Sequence, residues 1–202
     1  MIPPATHNKT SSRLSWLGGN TSPNPAPGTS KPTILQQVPK PTRVTRDLIA
    51  KCLARLYEIS DVRTLGGTLG ETLDAIQGVM QAKKKMVERE ARLAGFVCAG
   101  VLFEALGNKA GFRLLSCFND FVAIALKVIK TNGEDISVRV EATRMLSKLL
   151  QGGGKTAKEI QARDIIKCVK PNLQHKSPLL VLATLNVFES LVFFTTFMLP
   201  EA

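Results

Sequence analysis

The sequence predicts an all-α chain, a superhelix of about seven stacked helices behind a disordered N-terminal leader. Three observations predict it. The residues are 44% apolar but only 5% aromatic, a balance of Leu, Ala, Val and Ile that favours helices over a sandwich or barrel. The apolar spacing changes near residue 45 to the period of an amphipathic helix. Finally, one segment recurs at intervals of roughly 46 residues.

Residues 1–44 form the leader. Eight of the eleven prolines fall before residue 45, mixed with Ser, Thr, Asn and Gly, as in Thr21-Ser22-Pro23-Asn24-Pro25-Ala26-Pro27-Gly28. Such a segment buries too little apolar surface to offset the entropy of ordering it. No PxxP run sits in a basic and apolar frame that would mark it as a recognition segment. The leader carries Lys9, Arg13, Lys31, Lys40 and Arg43 with no acid, so about half of the net charge of +11 lies there. The rest of the chain is only mildly basic. No charged n-region precedes a long apolar run, so a cytoplasmic chain is expected.

Residues 45–199 read as helices. Leu48, Ile49, Cys52, Leu53, Leu56 and Tyr57 form an apolar stripe, and the first helix is expected over Thr45 to Ser60. Others follow over Leu65 to Ala82, Val87 to Leu106 and Phe112 to Lys130. Asp135 offers an N-cap to a fifth helix ending at Leu150. Gly152-Gly153-Gly154 is expected to break the chain as a flexible loop. A sixth helix is then expected over Thr156 to Val169 and a seventh over Pro178 to Met198, with no strand.

The repeat aligns Arg46 and Cys52…Leu56-Tyr57-Glu58 with Arg92 and Cys98…Leu102-Phe103-Glu104, 46 residues on. A third copy starts at Arg139 and carries Met145-Leu146-Ser147. A fourth ends in Phe188-Glu189-Ser190-Leu191. Two helices per period of about 40–47 residues define HEAT or armadillo repeats. In the third copy, Asp135-Ile136-Ser137-Val138-Arg139 matches the HEAT turn, with Asp135 capping the helix and Arg139 placed for a ladder between repeats. The expected pairs are the second helix with the third, the fourth with the fifth and the sixth with the seventh. The first helix is left without a partner.

The residues that carry this pattern resemble the HEAT-repeat-containing protein 5 family, whose fungal members are large accessory proteins of clathrin adaptor protein complex 1. The resemblance runs over about residues 41 to 190. It rests on Pro41-Thr42-Arg43, on Ala50-Lys51-Cys52-Leu53-Ala54-Arg55-Leu56-Tyr57 with Asp61, and on Thr68-Leu69 or Thr72-Leu73-Asp74. It continues through Arg92-Leu93-Ala94-Gly95-Phe96-Val97-Cys98-Ala99-Gly100, Gly107 and the Gly152 to Gly154 cluster. It implies a non-catalytic scaffold assisting adaptor recruitment and endosome-to-Golgi transport, with clathrin adaptor subunits as partners and peripheral association with Golgi or endosome membranes at most. The chain departs from the family in its Pro-rich leader and in lacking repeats after residue 190. With the nearly all-apolar last helix, those departures predict a fragment whose end pairs with further repeats or with itself.

No catalytic constellation, cofactor site or metal site is expected. Cys52, Cys98, Cys117 and Cys168 lack metal-ligand spacing and read as small buried residues. His7 and His175 have no nucleophile or base in view. Gly154-Lys155-Thr156 lacks the first glycine of a phosphate loop, where Leu149 stands. Lys83, Lys84, Lys85 and Arg89 are the candidate contact for an anionic partner. Without interleaved aromatic residues they do not point to specific nucleic acid, and a solvated turn is the plainer account. Asn186 and Glu189 argue against a membrane span over Pro178 to Leu199. The rival functional reading is a HEAT or armadillo module of nuclear transport or of a kinase or phosphatase scaffold; the third is a membrane protein anchored by its last helix.

Overall fold

Among the described residues, seven α-helices form where the apolar period starts and stops. The computed structural model describes residues 41–59, 62–77, 85–107, 109, 112–131 and 133–194. Its helices are α1 (Arg43–Ile59), α2 (Leu65–Gln77), α3 (Lys85–Leu106), α4 (Phe112–Lys130), α5 (Ile136–Gly153), α6 (Glu159–Val169) and α7 (Pro178–Phe194). There is no strand among the described residues. The disorder expected over residues 1–40, the last turn expected of α2 and the chain beyond 194 lie outside them.

Local chemistry sets the ends. Thr42 Oγ1 accepts from the Thr45 amide at 3.2 Å, capping α1 two residues earlier than the stripe alone implies. Arg43 and Val44 are therefore helical and do not belong to the leader. Asp135 caps α5 as expected, accepting from Ser137 N at 2.8 Å and Val138 N at 3.3 Å. Pro178 opens α7, where its missing N–H leaves no donor unsatisfied. His175 Nδ1 accepts from Ser177 N at 3.0 Å just before it. α6 begins at Glu159, later than expected, because Gly154–Thr156 forms a 3-10 turn.

The helices occupy two layers. α1, α3, α5 and α7 pack side by side in one; α2, α4 and α6 lie against them in the other. Neighbours within a layer run parallel, because N-terminal ends meet N-terminal ends and C-terminal ends meet C-terminal ends. Arg89 reaches Asp135, while Lys148 at the other end of α5 reaches Glu104 of α3 at 2.6 Å. The expected pairs of α2 with α3 and α4 with α5 pack together, whereas α7 packs mainly on α5 and meets the 3-10 turn Lys170–Gln174 more than α6, its expected partner. The core runs continuously from α1 to α7. Phe103 joins the layers at its centre, its ring 5.6 Å from Phe121 edge-on and 6.2 Å from Phe118.

The glycine triplet is not a flexible loop. α5 continues through Gly152 and Gly153, and the reason is packing. A Cβ on Gly152 would overlap the Phe103 carbonyl, one on Gly107 would overlap the Gly152 backbone, and one on Gly153 would meet the Phe118 ring at 2.9 Å. The C-terminal ends of α3 and α5 touch backbone to backbone, which only glycine permits. The cysteines also divide: Cys98 and Cys168 are buried as expected, Cys117 is half-buried, and Cys52 is exposed. Cys52 lies on the outer face of α1 with Leu48, Ile49 and Leu56, which are 45–56% exposed. The repeat-equivalent Leu102 is fully buried, since α3 has α1 and α2 packed against it.

Gly152→Ala is expected to destabilise the chain by about 1–3 kcal/mol through forced overlap. Gly70→Ala, at a helical site where an added Cβ meets nothing within 4 Å, is expected to stabilise it by about 0.5–1 kcal/mol. Chemical denaturation of the two variants checks both signs, and equal effects would contradict the packing account.

Candidate functional site

Parallel packing brings the beginnings of α1, α3, α5 and α7 to one edge of the layer, and arginines collect there. Of the residues singled out for an anionic partner, Lys83 and Lys84 lie outside the described residues, and of Lys85 only the backbone, opening α3, is described. Arg89 is described, and other arginines lie around it. It lines a groove of about 370 Å³ together with Arg43, Arg46 and Arg144. Leu93, Val140 and Leu179 supply apolar lining.

Carboxylates in and around this groove are shared between guanidiniums. Glu141, only 7% exposed, accepts from Arg43 Nε at 2.9 Å and from Arg144 Nη1 at 2.7 Å. Glu90 accepts from both Arg46 and Arg89, the latter at 2.8 Å. Arg89 also reaches Asp135 at 3.3 Å. Four guanidiniums thus face three carboxylates, and each arginine has more N–H donors than these bonds use. The Arg46 Nε is buried with no acceptor, a state that disfavours the groove as it stands by about 1–3 kcal/mol. Chemically, the arrangement can hold anionic oxygens.

Sequence reading missed Arg43, Arg46 and Arg144 as members of this site. They lie far apart along the chain, and no local motif connects them. The repeat alignment did contain a signal, since Arg46, Arg92 and Arg139 occupy equivalent positions. Each reaches forward to the next copy. Arg46 pairs with Glu90, and Arg92 holds both oxygens of Glu134 at 3.0 and 2.9 Å. Arg139 donates to Asn172 Oδ1 at 2.9 Å. Of the two residues expected to form a ladder, Asp135 receives Arg89 from α3 and Arg139 reaches Asn172 in the turn after α6.

Other candidates hold less chemistry. A second groove of about 570 Å³ is lined by Leu73, Ile76, Ile124, Lys127, Arg92 and Glu134, but its last two charges already neutralise each other. No group of three or more His, Cys, Asp or Glu side chains that could bind a metal occurs among the described residues. No helix among them is long and apolar enough to cross a membrane.

Burial pushes the Cys98 thiol up to about 11 and raises that of Cys168 as well. Native protein treated with a thiol reagent near pH 8 is expected to react at exposed Cys52 long before Cys98 or Cys168, which should label only on unfolding. Mass mapping of the labelled sites checks this.

For Asp135, partial burial raises the carboxyl pKa, but Arg89 and the Val138 and Ser137 amides lower it by more, so the net value falls below the ordinary 3.8. A depressed acid contributes its stability above the unfolded pKa and loses it as pH falls through the lower folded value. Asp135→Ala is expected to lower stability by about 1 kcal/mol at neutral pH. The gap between the two proteins should close as pH falls below about 4, as measured by denaturation at a series of pH values.

No protein-family model matches the chain, and no solved structure matches it significantly.

Proposed function

We propose that the chain is a non-catalytic HEAT-type scaffold that assists clathrin adaptor recruitment in transport between endosomes and the Golgi. One observation carries the scaffold reading: contacts between neighbouring helices of a layer recur at a nearly constant sequence separation. Arg46 to Glu90 and Glu104 to Lys148 both span 44 residues. Arg92 to Glu134, Asn119 to Gln161 and Leu126 to Cys168 each span 42, and Ser147 to Ser190 spans 43. The same stride in both layers is what a two-helix repeat of that length produces when each copy packs mainly on its neighbours, with Arg43 to Glu141, 98 residues apart, reaching one helix further.

The trafficking part is supported by the family resemblance over residues 41 to 190. Affinity arises from an extended helical surface, with no chemistry and no cofactor. Exposed apolar residues on the outer face of α1 and on α7, including Leu182, Leu185, Val192 and Phe193, suit packing against further repeats or another copy.

Reciprocal affinity capture under native conditions tests the reading. Adaptor subunits are expected to co-purify with the tagged chain and the chain with tagged adaptor. Recovery of karyopherins or phosphatase subunits without adaptor would transfer it to the rival class of repeat modules.

A further inference from the structure

We propose that the groove at the N-terminal edge of α1, α3, α5 and α7 is a docking site for an acidic peptide segment that carries apolar side chains. The inference rests on the groove alone and does not depend on the trafficking reading.

Charge is the first argument. Arg43, Arg46, Arg89 and Arg144 line the recess, with Glu141 the only carboxylate among its lining residues. Glu90 and Asp135 approach from outside that lining, and every one of these carboxylates is already in contact with a guanidinium. An incoming carboxylate therefore meets unused donors in planar forks that match its geometry. The groove also includes first-turn or cap residues of three parallel helices, Arg43 of α1, Ser137 of α5 and Ser177 of α7. Their backbone dipoles point positive ends at the same edge.

Shape and lining are the second argument, and they select a peptide over other anions. Leu93, Val140, Ile136 and Leu179 lie among the arginines, so a ligand of charge alone would leave them unused. Leu179 is 56% exposed and Ile136 38%, ready to be covered by an apolar side chain. The side chains of Arg46 and Arg144 are only 11% and 20% exposed, unlike long cations spread over a flat face for a bilayer surface. No aromatic residue lines the groove to stack a base. Residues 1–40 contain no acid, so the leader lacks the charge that the groove selects.

The probe is a fluorescent pool of short peptides with Asp or Glu alternating with Leu or Phe, followed by anisotropy at low and at physiological salt. The double variant Arg43→Ala with Arg89→Ala leaves Glu141 paired with Arg144 and Glu90 paired with Arg46, so it should keep its fold, checked by its melting transition. We expect the pool to bind the wild type and the variant to bind about tenfold more weakly, equivalent to about 1.4 kcal/mol. Its salt dependence should also be shallower. Lys at both positions should weaken binding by less, because charge is kept and only the fork is lost. Equal binding by wild type and variant would overturn the proposal. So would equal binding of peptides with Asn and Gln in place of the acids, or tighter binding to phosphatidylserine vesicles than to the pool. A failed adaptor capture leaves this result untouched, and the reverse also holds.

Discussion

Arg92 fastens three helical elements with one side chain. Its Nη atoms hold both carboxylate oxygens of Glu134, at the approach to α5, while its Nε donates to the Ile76 carbonyl at the end of α2 at 3.1 Å. Both partners are largely removed from water, with side-chain exposures of 18% and 16%, so the planar fork works where screening is weak. Breaking it would leave an acid stranded in the junction, the costly half of any buried ion pair. Arg92 and Glu134 are 42 residues apart, so this one contact ties the first half of α3 to the approach of α5. Arg46 and Arg139 repeat the device with Glu90 and Asn172, which is why the layer of α1, α3, α5 and α7 keeps its register.

At the opposite end of the same helices the constraint is steric. Gly107 and Gly152 let the last turns of α3 and α5 meet backbone to backbone, and Gly153 leaves room for the Phe118 ring. Phe103 then fills the space between α3 and α4 by ring contacts with Phe118 and Phe121. Polar contact and glycine contact together hold α3 and α5 at both ends. Neither would fix helix orientation alone, since an ion pair tolerates rotation and a close contact tolerates sliding.

Much of this was readable before the structure, and the failures have identifiable causes. Helix existence and number followed from apolar spacing, because each helix must bury one face whatever its neighbours. The equivalence of Tyr57 and Phe103 also held at the level of burial. Tyr57 adds a bond to Thr68 at 2.5 Å, whereas the Phe103 ring needs none. Cys52 was misjudged because residue type alone says nothing of neighbours: Cys98 lies against Thr72 of α2, and Cys52 is exposed. The glycine triplet was misjudged because local propensity favours a loop, while Phe103, some fifty residues earlier, requires a helix without Cβ atoms. The groove was illegible for the same reason, since its arginines are scattered from residue 43 to 144 and only the parallel stacking collects them.

The groove adjoins the chain of forward-reaching arginines without being built from it. Of Arg46, Arg92 and Arg139 only Arg46 lines it; Arg43, Arg89 and Arg144 join it there because α1, α3 and α5 run parallel. Acids from the next copy neutralise part of that charge, but Glu90 and Glu141 each serve two guanidiniums, so neutralisation is incomplete by construction. Arg46 shows the overlap directly, because it is both a rung of the ladder and a wall of the groove. Stability and anion affinity are therefore coupled in this edge, and the positions where they separate are the more exposed Arg43 and Arg89, whose acids keep a second partner.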